Sequence, residues 1–235
     1  MFNYAVKYYD LHENPCTKAG SMGKSHAEEM NFWTKAEFEQ FIVAVQDKPA
    51  SYTAFMTLYY TGMRVGELCA LTPADVDLEG HTITINKTFQ RINGRDVIWP
   101  PKTPKSNRVV TIPQTLANCL KEYMDKCYEI QPDDRLFPYT KSFLNHEMLR
   151  GCKKSGVKKI RVHDLRHSHA SLLIEMGCQP LLIADRLGHE KIQTTLNTYS
   201  HLYPNKQAEV AAQLENVMNG TTVPNGSQMA GVANL

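Results

Sequence analysis

The sequence predicts an α+β domain, mainly α-helical, carrying one small three-stranded antiparallel sheet. Three observations predict it. Apolar residues recur at helical spacing through 33–71 and again from 114 onward, HTITINKTF alternates with the period of a strand, and Asn93-Gly94 supplies a hairpin turn in the middle. A chain of 235 residues with 42% hydrophobic content has material for one good core.

Residues 1–31 begin with an aromatic-rich helical turn and pass into a Gly/Ser/Lys stretch with Asn-Pro punctuation, which reads as linker. WTKAEFEQFIVAVQ then offers Thr34 as N-cap with Glu37 three residues on, a capping box, so the folded domain is expected to start at 32. Residues 50–71 read as a buried helix in which Gly62 and Gly66 bracket Arg64. After Pro73 come three short strands, HTITINKTF, VIWP and RVVTIP, with RINGRD as the turn between the first two and PKTPKSN as the loop between the last two. From 114 the pattern is helical, broken at Pro132-Asp133-Asp134, with LFPYT as a connector. Residues 206–220 carry Ala208, Ala211, Ala212, Leu214, Val217 and Met218 at mostly helical spacing, and a polar tail ends the chain.

Twenty-six Lys+Arg against 24 Asp+Glu leave a net charge of only +2, so a basic surface has to come from local clustering. Two clusters qualify: Lys102, Lys105 and Arg108, and then Lys153, Lys154, Lys158, Lys159 and Arg161. The six cysteines form no CxxC pair, and neither a signal peptide nor a long apolar run is visible. That pattern predicts a protein of the reducing cytoplasm, without disulfides, zinc knuckle or membrane span.

The second cluster runs into HDLRHSHASLL, where His163 and Arg166 lie three residues apart and share a helix face. His163 and His167 have the i, i+4 spacing of metal ligands in HExxH proteins, but the glutamate that would serve as base is missing, so no metal and no cofactor are expected. His167 and His169 read as packing residues. Downstream, LGHE places His189 twenty-three residues after Arg166, and NTYSH places Tyr199 ten residues after His189. Upstream, glycines flank Arg64 where backbone can approach a ligand, with Glu67 available to orient the arginine.

Two arginines, two histidines, a loop lysine and a tyrosine suit a phosphodiester. Guanidiniums can grip the nonbridging oxygens by charge-assisted bonds and stabilise a pentacoordinate transition state without metal. Histidines can move protons at neutral pH, and a lysine can protonate a departing 5′ oxygen. A tyrosine in so cationic a pocket can act as the nucleophile.

In this order and spacing, TGMRVGEL, PPKTPKSNRVV, HDLRHSHAS, LGHE and NTYSH resemble the tyrosine recombinases, or phage integrases, above all those of conjugative transposons and temperate phages. The resemblance covers about residues 33–205 and implies a tyrosine-recombinase catalytic domain. It implies Arg64 and Arg166 as phosphate clamps, His163 as the proton-handling group, His189 as a phosphate ligand and Tyr199 as the nucleophile forming a 3′-phosphotyrosine link. Lys102, first in the PKT pattern, resembles the general acid more closely than Lys105 does. Glu67 supports from behind, and Lys105, Arg108, Lys153, Lys154, Lys158 and Lys159 are candidate DNA-backbone contacts.

The partners so implied are double-stranded DNA recombination sites, a homo-tetramer on DNA from monomers in free solution, and an accessory excision factor. Residues 1–31 are then expected to be the linker and remnant of a core-binding domain, 32–205 the catalytic domain, and 206–235 a helix and tail that dock in trans. Two alternatives share the inventory: a DNA-binding module without activity, and a strand cleaver like the type IB topoisomerases.

Overall fold

The computed structural model describes residues 1–19, 31–101 and 103–203, with positions 211, 215 and 218 beyond them. Residues 20–30 of the expected linker, most of the C-terminal helix and tail, and Lys102 lie outside these residues. Two short helices, α1 (Phe2–Tyr8) and α2 (Pro15–Ala19), bury none of their residues. The packed structure begins at Trp33, fully buried, whose indole Nε1–H donates to the Lys158 carbonyl at 2.8 Å and whose backbone N–H donates to Ser168 Oγ at 2.9 Å.

Helix α3 (Lys35–Val45) starts at the expected capping box: Thr34 Oγ1 accepts from the Glu37 N–H, and the Glu37 carboxylate accepts from the Thr34 N–H at 2.8 Å. Its apolar face, including Phe38, Phe41 and Val45, is buried against α4 (Pro49–Thr61) and α7 (Lys141–Ser155). The segment 50–71 is two helices instead of one. Gly62 adopts φ +66° and caps α4 with a bond from its N–H to the Leu58 carbonyl. Arg64 then starts the single-turn α5 (Val65–Leu68), with its N–H held by the Glu67 carboxylate at 2.8 Å. Helical periodicity runs through the break because both pieces are buried, and the left-handed glycine re-aims the chain between them.

The expected three-stranded antiparallel sheet is present with a different membership. Strands β1 (Val76–Asp77), β2 (Thr82–Ile85) and β5 (Arg108–Thr111) form it in the order β1-β2-β5, with Ile83 opposite both Val76 and Val110. HTITINKTF is split: β3 (Thr88–Ile92) leaves the sheet and pairs with β4 (Arg95–Trp99) as a separate hairpin closed at Asn93-Gly94, both at positive φ. The split falls at Lys87, whose ammonium turns in to Asp75 at 2.7 Å and Thr72 at 3.1 Å.

Helices α6 (Gln114–Asp125), α8 (Leu165–Glu175), α9 (Pro180–Leu187) and α10 (Ile192–Tyr199) complete the fold, and the one-turn helix Val162–Asp164 leads directly into α8. The main core gathers α3, α4, α6, α7 and the β-sheet. A smaller cluster of Ala170, Ile174, Ile183, Leu187 and Tyr199 joins α8, α9 and α10. Among the described residues no helix is long and apolar enough to cross a membrane.

Candidate active site

A cleft of about 790 Å³ opens where α5, the β2–β3 connection, the start of α7, the turn before α8 and the α9–α10 connection meet. Arg64, His163 and His189, far apart in sequence, all line it. Arg64 stands at the N-cap of α5, its guanidinium 2.8 Å from Glu67 Oε1 and its side chain 38% exposed, so charge remains presented to the cleft. Arg166 approaches from beneath. It is buried, and its guanidinium donates to the Gly62 carbonyl at 2.8 Å and the Leu187 carbonyl at 2.7 Å. Both acceptors sit at helix ends, where carbonyls lack intrahelical partners and carry partial negative charge. Burial, then the neighbouring Arg64, lower Arg166 to about 9, which leaves it cationic at neutral pH.

Burial also lowers the histidines, followed by Arg166 in both cases: His163 falls below the usual imidazole value and His189 falls to about 4. Both are neutral at pH 7. His189 sits just past Gly188, the left-handed cap of α9, and its Nδ1 lies 2.8 Å from Thr195 Oγ1 of α10. Tyr199, at the end of α10, is 1% exposed, and its hydroxyl lies 2.8 Å from His167 Nδ1. Burial raises its phenol to about 12. The ring packs with Ile183 and Leu187 beside the cleft instead of lining it.

Glu67 is buried between two arginines. Arg108 grips it through both guanidinium nitrogens, at 2.9 and 3.3 Å, and also donates to the Arg186 carbonyl at 2.9 Å. The Arg108 side chain is only 7% exposed. The expectation of an outward DNA-backbone contact therefore needs correcting: the chain from PKTPKSN turns Arg108 inward, because Glu67 needs a second cation. Lys105 is exposed on the turn Pro104–Ser106 but does not line the cleft. Lys153, Lys154, Lys158 and Lys159 are exposed, none of them lining the cleft, with Lys154 near Asp47 and Lys158 near Glu37.

Three further cationic residues line the cleft, Lys87, Lys141 and Arg161, which the sequence reading did not assign to the site; the Lys87 ammonium is turned in to Asp75 and the Arg161 guanidinium is paired with Asp164. Arg161 had only its place in a basic run to mark it. Lys87 lies inside the alternating run HTITINKTF and Lys141 opens a helix, and neither position carries a motif.

Residues 31–206 match the model of the phage integrase family. The chain belongs to that family. It is similar to the ICEBs1 integrase of Bacillus subtilis, 33% identical over 93% of this chain and 63% of that protein, and to the integrase of Staphylococcus phage L54a, 31% identical over 92% and 71%. Among solved structures, the Tn1549 transposon integrase in complex with circular intermediate DNA shares the fold, with a TM-score of 0.72 at 22% identity over 91% of this chain and 76% of that one. The chain thus spans under two thirds of the ICEBs1 protein. Within the phage integrase family frame, the mainly helical architecture with small antiparallel sheets is that of the catalytic domain expected from sequence.

Proposed function

We propose that this chain is the catalytic portion of a site-specific DNA recombinase that cleaves and rejoins strands through a 3′-phosphotyrosine, integrating or excising a mobile element. One observation carries the reading. Arg64, His163 and His189 converge on a single cleft, with Arg166 buried beneath it and Tyr199 buried on the adjoining helix. Arg64 and Arg166 grip the nonbridging oxygens of the scissile phosphate and stabilise the charge that grows there during attack. His163 and His189, neutral beforehand, hydrogen-bond the same phosphate. Tyr199 attacks phosphorus, and a lysine of the PKTPKSN loop, Lys102 by its place in the motif, protonates the 5′ oxygen that leaves.

Bond number is conserved, so the link can be resolved by another strand's 5′-hydroxyl without a nucleotide cofactor. Lys141 and Arg161 line the cleft where the flanking phosphates run. The proposed partners are recombination-site duplex DNA, three further copies of the protein on two DNA segments, and an accessory excision factor, acting on nucleoid DNA. The C-terminal residues 206–235 dock on a neighbouring copy in that assembly.

The test is covalent capture. A library of nicked suicide duplexes of randomised sequence is incubated with the protein and selected for SDS-resistant attachment. The expected result is an adduct whose phosphate maps to Tyr199 and which Tyr199→Phe abolishes while DNA binding persists. Attachment at Tyr203, or no attachment, overturns the reading.

A further inference from the structure

We propose that His167 is a catalytic residue, the group that takes the phenolic proton from Tyr199 as the tyrosine attacks; the inference rests on the recombinase reading above and extends it. The contact of 2.8 Å between Nδ1 and the Tyr199 hydroxyl is the only hydrogen bond that hydroxyl makes among the described residues. The phenol is fully buried, so no bulk water competes for its proton. His163 lines the cleft but does not touch the nucleophile. Its ring meets the His167 ring edge-on, with centroids 5.6 Å apart, so His167 stands between the cleft histidine and the tyrosine.

The direction of the bond follows from the two acidities. Tyr199 is held up at about 12 by burial, and His167 is brought down to about 4, first by burial and then by His163. At neutral pH the phenol therefore keeps its proton and donates it, and neutral His167 accepts at Nδ1 with its own proton on Nε2. The groups facing His167 are His163, Asp164 and Arg161 from the preceding turn, Arg166 on its own helix, His189 from the α9–α10 connection, and Tyr199. Of these Asp164 favours the imidazolium, and the cations oppose it until a phosphate enters the cleft.

The step balances. As the Tyr199 oxygen bonds to phosphorus, its O–H bond breaks and the proton passes to Nδ1. The P–O5′ bond breaks in turn, and the 5′ oxygen takes its proton from the loop lysine. When a 5′-hydroxyl later attacks the phosphotyrosine, that hydroxyl's proton returns to the lysine, and His167 returns its own to the departing phenolate. The phenol grows more acidic as its oxygen bonds to phosphorus, so the transfer accompanies bond formation and requires no free phenolate.

Single-turnover adduct formation on a captured duplex tests this, comparing the wild type with His167→Asn, whose amide oxygen can replace Nδ1 as acceptor but cannot take up a proton. The expected result is a loss of about 10²–10⁴-fold at pH 7. The residual rate should climb steeply with pH as hydroxide substitutes, while the wild-type rate stays level between pH 6 and 9. A His167→Asn rate near wild type, or a slow rate with the wild-type pH profile, shows a positioning role only and overturns the proposal. Should the variant not fold, ¹⁵N spectra of the wild-type imidazoles decide. Unprotonated Nδ1 at His167, shifting in Tyr199→Phe, is expected, and protonated Nδ1 overturns it. Absence of any wild-type adduct sinks the recombinase reading instead, so the two failures are distinguishable.

Discussion

At the scale of single residues, the site depends on charges that are buried and paired. Glu67 is held well below the usual carboxylate range because its bonds to Arg108, then to Arg64, outweigh burial. Removing one partner of a buried pair strands the other. Arg108→Ala should therefore cost about 3–5 kcal/mol in urea unfolding and release Glu67, and with it Arg64, so that adduct formation falls as well. Arg108→Lys should recover little of either, because an ammonium cannot reproduce the bidentate fork.

His169 makes a second residue-scale case. Burial, then Arg186, lowers it to about 3, while its Nε2 accepts from the Arg186 guanidinium at 3.1 Å. Its unfolded value is near 6.5. Between that value and about 4 the unfolded chain binds protons at His167, His169 and His189 that the folded protein refuses, so stability falls as pH falls through this window. Thermal midpoints should drop from pH 7 to pH 5. His169→Gln keeps an acceptor for Arg186 but loses the titration, and should flatten part of the drop; an equally steep drop would show that His169 adds nothing to it.

At the scale of elements, helix ends place the chemistry. Arg166 is fixed by the carbonyl of Gly62 after α4 and by that of Leu187 in the last turn of α9. Gly62 serves three ends at once: it takes φ +66°, it offers its carbonyl to Arg166, and it leaves room for His169, whose Cδ2 would lie 2.5 Å from an added Cβ. Gly62→Ala should cost more than the roughly 1–2 kcal/mol of left-handed strain. Because the displaced carbonyl carries Arg166 with it, adduct formation should fall beyond what reduced folding explains. A variant merely destabilised, with full cleavage per folded molecule, would separate α4 capping from the phosphate clamp.

Over the whole molecule, a net charge of only +2 conceals a cleft whose cations include Arg64, Lys87, Lys141 and Arg161. With Lys87 held on Asp75, Arg64, Lys141 and Arg161 are left to meet one phosphate each, so log K for duplex binding should fall against log salt with a slope of about −3, and Lys141→Ala should reduce that slope by about one. An unchanged slope would remove α7 from the interface. Deleting 206–235 should impair cooperative recombination of full sites while leaving single-site cleavage by Tyr199 intact. Unchanged cooperativity would deny the tail its role in assembly.

Local patterns in the sequence settled a good deal. The Thr34–Glu37 cap, the Asn93-Gly94 hairpin and the run of helices after 114 depend on interactions among near neighbours, so they are legible from spacing alone. Arg64, His163, Arg166, His189 and Tyr199 were legible as a set because their order and intervals form a pattern. What the set does in space was not. The Arg108–Glu67 fork spans 41 positions, and the His167–Tyr199 bond spans 32. Neither partner carries a local mark, so Arg108 read as an exposed cation and His167 as packing. The break of HTITINKTF into two sheets likewise depends on Lys87 reaching Asp75 twelve residues back. Periodicity reports which face of an element is apolar. Which buried charge meets which is decided only when the chain closes, because the cost of burying a charge unpaired is felt only there.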